Sequence, residues 1–337
     1  MNAAIFHIKS EADFQSACLE TFRYQAEHVD VYRKFTGFLG IKPDAVDSFE
    51  KIPFLPIEMF KNHRVLDRNS EAENYFQSSG TTDMTVRSRH YIADFNLYEQ
   101  SILESFSQFI GNPKDYIFLG LLPNYSENQH SSLIYMVDFL MNKSGKTQNG
   151  YFLYNHAELF ELLEKLTDKK VILFGVSFAL LDFLEFISAS GRKIPALPNL
   201  TVIETGGMKG RKEEMTKDEL LAILHYGFGT RRIFSEYSMT ELLSQAYSLE
   251  DQVYQTPNWM KILIRNPEDP FSYTAHGRTG AINIIDLANR HSCSFIATQD
   301  LGKIVNNKFK NELLHPGFQV LGRIDHSDIR GCSLLVS

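Results

Sequence analysis

Cysteine is scarce. The 337-residue chain carries Cys18, Cys293 and Cys332, an odd number at wide spacing. No CxxC pair occurs, which argues against a thiolate metal cluster and against a disulfide framework. Free thiols in a reducing cytoplasm are the expectation. Positive charge is also in deficit: 34 Lys and Arg against 41 Asp and Glu leave a net charge of −7. A protein that coats nucleic acid or an acidic membrane by bulk charge is therefore not expected. Long apolar runs are missing. The greasiest stretch, 171–187, is interrupted by Gly175, Asp182 and Glu185 and is too short to span a bilayer. Residues Met1 to Phe14 lack a basic region followed by an apolar run, so no secretory leader is expected. Internal repeats and low-complexity linkers are absent. So is the GxxxxGK[ST] phosphate loop.

The chain does have a hydroxyl-rich loop, Ser78-Ser79-Gly80-Thr81-Thr82, between Tyr75 and Asp83. Gly80 lets the backbone turn tightly and approach a ligand. Hydroxyls and local N–H groups would converge on an anion, most naturally phosphate. The same residue types dominate ordinary surface turns, and that alternative stays open at this point.

In chain order, residues 10–39 carry apolar positions such as Phe14, Cys18 and Phe22 at helical spacing. Pro53 and Pro56 hold the segment Lys51 to Lys61 extended, as an approach to the hydroxyl-rich loop. Strand and helix signals then alternate. Strands are expected at 116–122, 170–174, 200–204 and 232–236, and helices at 131–141, 158–166, 177–189 and from 216 through 224. Ser177 is the expected N-cap of the third helix, and Thr216-x-x-Glu219 is a capping box. This order argues for a mostly parallel sheet with helices on its faces, an α/β fold. After about residue 250, Pro257, Pro267 and Pro270 interrupt the chain. Strand signals follow at 280–286, 294–298 and 318–321 without clear helices, so a β-rich subdomain is expected. The expected organisation is an approach segment (1–74), an α/β nucleotide-binding core (75–250) and the β-rich part (251–337).

Ligands of open α/β sheets sit at the carboxyl ends of strands. Three loops there are unusual. Strand 200–204 leads into Gly206 and Gly207, then Lys209, Arg211 and Lys212. Strand 232–236 leads into Tyr237-Ser-Met-Thr240-Glu241, where a helix is expected to begin. Tyr237 could stack on a base, Thr240 could bind phosphate, and Glu241 could hold Mg²⁺. Thr240 as a simple N-cap remains the alternative. Strand 294–298 leads into Asp300, the residue type that holds ribose hydroxyls in nucleotide folds, with an ordinary turn aspartate as the open alternative.

Taken in order, Ser78-Ser-Gly-Thr-Thr82, Tyr237-x-x-Thr-Glu241, Thr298-x-Asp300 and Gly322-Arg-Ile-Asp325 resemble the adenylate-forming superfamily of acyl-CoA synthetases. The stretches Ile52-Pro-Phe-Leu-Pro56, Glu204 to Arg211, Ser235 to Gln245 and Ser327 to Ser333 most resemble its fatty-acyl-protein synthetase (LuxE-like) group, related to phenylacetate-CoA ligase. The resemblance implies the superfamily's large N-terminal domain. It also implies activation of a carboxylic acid, of the fatty-acid class, by ATP and Mg²⁺ to an acyl-adenylate, followed by transfer to a thiol. Carried over by motif, Ser79, Thr81 and Thr82 line the phosphates, with Ser78 and Gly80 in the same loop. Gly206 and Gly207 flank the adenine under Tyr237. Thr240 and Glu241 address the α-phosphate and the metal. Asp300 and Arg323 bind the ribose.

Two residues depart from the superfamily pattern. Asp83 and Ser238 stand where glycine is usual. Asp83 places a negative charge beside a polyphosphate. The small C-terminal domain that carries a catalytic lysine in typical members is expected to be absent, with the Mg²⁺ ion or a residue of the cluster Lys209, Arg211 and Lys212 as the candidate stand-in. That would suit the acyl-protein group, in which a cysteine near the C-terminus carries the acyl chain; Cys332 is the matching position. The expected partner is then an acyl-accepting reductase or transferase. Two alternatives stay open: a CoA or carrier-protein ligase, and a nucleotide-binding scaffold without activity. A homo-oligomer is compatible with the sequence and not required by it.

Overall fold

A computed structural model describes residues 2–78, 86–124, 126, 128–206, 215–305 and 313–324. The chain begins with α1 (Glu11–His28) and α2 (Asp30–Phe38). These were expected as one helix, but Val29 is extended at φ −96°, ψ 101° and forms an antiparallel bridge with Asp67, so the helix ends there. Next come β1 (Leu55–Pro56) and α3 (Met59–Asn62). The hairpin β2 (Tyr75–Gln77) and β3 (Arg89–Tyr91) forms a separate two-stranded sheet.

The α/β part follows as α4 (Phe95–Phe109), β4 (Ile117–Leu121), α5 (Ser132–Ser144), β5 (Gly150–Tyr151), α6 (His156–Lys165), β6 (Val171–Val176), α7 (Ser177–Ala189), β7 (Leu200–Thr205), α8 (Lys217–Phe228) and β8 (Ile233–Tyr237). The remaining strands are β9 (Ala246–Ser248), β10 (Tyr254–Gln255), β11 (Met260–Arg265), β12 (Gly280–Asp286), β13 (Phe295–Val305) and β14 (Gly317–Arg323).

The large sheet runs in the order β11-β12-β13-β14-β10-β9-β8-β7-β6-β4-β5, with β1 added parallel beside β13. It changes character at β8. From β5 to β8 every pairing is parallel; from β8 through β9 to β11 every pairing along the path is antiparallel. Every residue of β4, β6 and β7 is buried. Helices cover both faces there, which is why these strands read as continuous apolar runs. In β11 the sequence Met-Lys-Ile-Leu-Ile-Arg alternates buried and half-buried positions, as a strand packed on one face does. It has no counterpart among the expected strands because prolines flank it closely.

The approach segment behaves as its prolines suggest. Leu55 pairs with Ile296 and Pro56 with Ala297. Pro56 is tolerated because β1 is an edge strand. Buried Tyr32 donates its hydroxyl to the Pro53 carbonyl at 2.7 Å and stacks on Phe295. The α8 capping box is present as expected, and the helix extends to Phe228. Ser177 differs from expectation. It is the first residue of α7, and Val176 holds the cap position without a side-chain bond. Its hydroxyl instead sits 2.9 Å from Glu204 and 3.1 Å from the Gly206 carbonyl. A buried carboxylate competes successfully for it.

Candidate active site

The site forms where β7 and β8 end. Thr205 is in register with Glu236, so Gly206 and Tyr237 leave the sheet at one level. Gly206 sits at φ +74°, a left-handed conformation that favours glycine. Behind it lies a buried carboxylate. Glu204 accepts from Lys217, whose pKa burial depresses to about 8.

Tyr237, Asp300 and Arg323 come together from three strands. Asp300 and Arg323 are direct partners across β13 and β14. The Tyr237 hydroxyl donates to Asp300 Oδ2 at 2.7 Å, and Arg323 Nε lies 3.3 Å from Oδ1. Burial raises the Asp300 pKa, and the Tyr237 hydroxyl and Arg323 oppose that shift. The Tyr237 ring contacts Phe318 edge-on and Tyr254 at a tilt, with centroids 5.6 and 5.8 Å away. The tyrosine is thus fixed at both its face and its tip. Arg323 remains largely exposed, at 73% of its side chain, and so is available to a ligand.

No helix follows Tyr237, contrary to expectation. Residues 238–245 form an irregular segment that returns as β9, antiparallel to β8. The reason is competition for its backbone groups. Buried Asp286, at the end of β12, accepts the N–H groups of Leu243 at 2.8 Å and Ser244 at 3.0 Å, and the Ser244 hydroxyl at 2.6 Å. It also accepts from Ala288 N at 3.1 Å. Asn289 Nδ2 donates to the Glu241 carbonyl at 2.7 Å. His90 Nδ1 lies 2.9 Å from the Thr240 carbonyl. Backbone groups committed to these partners are lost to a helical ladder. Asp286→Ala is expected to cost about 3–5 kcal/mol of stability, because several buried donors lose their acceptor together. Urea unfolding monitored by circular dichroism measures it; a loss under 1 kcal/mol would refute this account of the turn.

Glu241 is buried, at 4% exposure. Burial raises its pKa, and a hydrogen bond from the Ser88 hydroxyl is the largest opposing influence. Ser88 also marks the base of the hydroxyl-rich loop: Ser78 N donates to Ser88 O at 3.1 Å, and Ser88 N to Ser78 Oγ at 3.2 Å. The loop base and the Glu241 turn therefore touch. A buried carboxylate supported by one hydroxyl suits a cation that takes one protein oxygen and completes its shell with phosphates and water, as Mg²⁺ does. Among the described residues no group of three or more His, Cys, Asp or Glu could hold a metal by itself.

Residues 129–337 match the sequence model of the family described as Acyl-protein synthetase, LuxE. The chain belongs to this family.

The match covers more than half of the chain and includes Tyr237, Glu241, Asp300, Arg323 and Cys332. LuxE membership makes the protein an acyl-activating enzyme of the adenylate-forming kind. No curated protein sequence matches it significantly. Solved structures do. An open conformation of 2-hydroxyisobutyryl-CoA ligase, in complex with 2-HIB-AMP and CoA, superposes with a TM-score of 0.71 at 13% identity, over 94% of this chain and 70% of that one. ATP-bound MatB from Rhodopseudomonas palustris superposes at 0.53 and 15% identity, over 75% of this chain and 48% of that one. The luciferase-like enzyme of the mealworm Zophobas morio gives 0.54 and 14%, over 76% and 59%. At such identities the likeness is one of fold, that of the large domain of adenylate-forming ligases.

Of the expected site residues, Ser78, Gly206, Tyr237, Thr240, Glu241, Asp300 and Arg323 fall among the described ones. Ser79, Gly80, Thr81, Thr82, Asp83, Gly207, Lys209, Arg211, Lys212 and Cys332 lie outside them. Ser88, His90, Asp286 and Asn289 were not anticipated. The alternation Ser88-Arg-His90 was the one available signal, since an extended chain turns side chains two residues apart to the same side, and both are buried. Among the described residues no helix is long and apolar enough to cross a membrane.

Proposed function

We propose that the protein activates a carboxylic acid, of the fatty-acyl class, with ATP and passes the acyl group to its own Cys332. The convergence of Tyr237, Asp300 and Arg323 beside buried Glu241, at the carboxyl ends of β7 and β8, carries this reading. In it the adenine lies by Gly206, Gly207 and Tyr237, the ribose hydroxyls meet Asp300 and Arg323, and the triphosphate enters between Ser78 to Thr82 and Thr240. ATP binding by the MatB neighbour supports the choice of nucleotide. Glu241 would hold Mg²⁺, which offsets phosphate charge when bound.

The substrate carboxylate attacks the α-phosphorus; the new bond is C(O)O–P, and pyrophosphate leaves. Negative charge grows at the α-phosphate during this step and needs fixed positive partners. Lys209, Arg211 and Lys212 are assigned to that role. The Cys332 thiolate then attacks the acyl carbon and AMP leaves with the bonding pair, which gives an enzyme thioester. A reductase or transferase would take the acyl group from there. Acid-dependent exchange of labelled pyrophosphate into ATP tests the first step, with a panel of acids of increasing chain length. No exchange with any acid would sink the reading in favour of a nucleotide-binding scaffold. Exchange with product formed only when CoA is added would favour a CoA ligase, the second reading, which the CoA-bound fold neighbour supports.

Asp300→Ala is expected to weaken ATP binding by about 1.5–3 kcal/mol, the range for hydrogen bonds to a charged group. Calorimetric titration measures it. The unfolding midpoint serves as the control, because the variant also strips Tyr237 of its acceptor. Unchanged ATP affinity would remove Asp300 from the ribose site.

A further inference from the structure

Ser78, just after β2, and the Thr240–Glu241 turn, just after β8, follow strands of different sheets, and something must hold them in register. β3 supplies the connection. His90 of β3 and Ser88, the residue just before the strand, are both buried and sit two residues apart. The Ser88 hydroxyl lowers the pKa of the Glu241 carboxyl, against the effect of burial. His90 reaches the Thr240 carbonyl with Nδ1 at 2.9 Å and the Ser292 hydroxyl with Nε2 at 2.9 Å. A carbonyl only accepts, so Nδ1 carries the proton and Nε2 accepts from Ser292. The ring is fully enclosed, at 1% exposure, and Phe60 meets it edge-on with centroids 5.7 Å apart.

The far side of the turn is equally fixed. Asn289 holds the Glu241 carbonyl, and Ser292, which holds His90, lies three residues further along the same turn after β12. Gln25 of α1 anchors that turn through Asn289 O, Arg290 O and the Ser294 N–H. His90 therefore ties the Thr240–Glu241 turn to the segment after β12, which Gln25 in turn fixes to α1.

We propose that His90 is a positioning residue, with Ser88 as its companion, that sets Thr240 and Glu241 relative to the β2–β3 hairpin and so determines how well the turn holds Mg²⁺ and the ATP phosphates. The proposal rests on the nucleotide site inferred above. Neither residue touches substrate in it. Their effect passes through the Thr240 carbonyl and the Glu241 carboxylate, as partners behind a metal ligand commonly act.

The test compares three variants of the full-length protein. H90F keeps a ring against Phe60 and loses both hydrogen bonds. H90N places an amide nitrogen where Nδ1 lies and can still donate to Thr240. S88A removes the hydroxyl at Glu241. Calorimetry at fixed Mg²⁺ gives ATP affinity, and Mg²⁺ titration of pyrophosphate exchange gives the half-saturating metal concentration. Unfolding midpoints are recorded for each. H90F and S88A are expected to raise the Mg²⁺ requirement and the ATP dissociation constant roughly 10-fold or more, in line with losses of partners behind metal ligands. H90N should stay close to the wild type in both, even if its unfolding midpoint falls as far as that of H90F. Wild-type metal and ATP dependence in H90F and S88A would overturn the proposal. So would equal losses in H90N and H90F that follow their unfolding midpoints, the pattern of a purely structural histidine. Wild-type protein that binds ATP with Mg²⁺ yet exchanges no pyrophosphate would refute the adenylation reading alone; the binding data on the variants would still decide the role of His90.

Discussion

Cys332→Ala is expected to abolish covalent acylation of the protein. Incubation with labelled fatty acid and ATP should leave label on the wild-type chain, and neutral hydroxylamine, which cleaves thioesters, should release it. Neither of the other cysteines can take over. Cys18 and Cys293 are fully buried, and burial raises both thiols, that of Cys293 to about 12. The thiolate is the nucleophile, so a buried and neutral thiol is inert. Cys293 is further committed, with Sγ 3.3 Å from the Phe295 carbonyl. Cys293→Ala should therefore label as the wild type does. Cys332 stands in the sequence Arg330-Gly331-Cys332, and an Arg held beside the thiol would favour the thiolate. Persistent label on Cys332→Ala would remove it as the acceptor, and label only with added CoA would turn the assignment to a ligase.

Glu241→Gln is expected to reduce Mg²⁺-dependent pyrophosphate exchange by at least about 100-fold, the loss typical when a preorganised partner of developing charge is removed. Gln keeps the size of the side chain and can still accept from Ser88, so the fold should survive; it lacks the charge that holds a divalent cation. Exchange rates across a Mg²⁺ series measure the effect, with unfolding midpoints alongside. A variant with undiminished exchange would show that Glu241 is only a buried anchor of the turn. Asp286, by contrast, is assigned to the fold: it satisfies the turn's N–H groups, and its removal should lower stability first.

Fold class and the order of the motifs were legible in the residues. The apolar runs of β4, β6 and β7 announce strands covered on both faces. Thr216-x-x-Glu219 announces a helix start that the structure contains atom for atom. Positions after strands announced Gly206 and, at the last residue of β8, Tyr237. Asp300 was expected in a loop after a strand ending at 298, but β13 runs on to Val305 and holds it mid-strand opposite Arg323, because pairing with β14 extends the strand. The readings that succeed do so because each depends on a local period or on a side chain bonding its own neighbours.

Other features depended on contacts between distant residues. Val29 ends a helix that local propensity would continue, because it pairs with Asp67. Ser177 has a good cap residue's chemistry, yet Glu204 claims its hydroxyl. Thr240 and Glu241 would start a helix in isolation; Asp286, Asn289 and His90, from elsewhere in the chain, take their backbone groups instead.

The sequence by itself determined the α/β class, the strands that lead into the site and the identity of the residues that meet there. Tertiary structure decided how those residues act: that Asp300 is held by Tyr237 from one strand and Arg323 from another, and that Glu241 is buried against Ser88. The physical reason is range. Hydrophobic period and capping are settled within a few residues of chain, whereas a buried carboxylate takes its partner from whichever strand the sheet order places beside it.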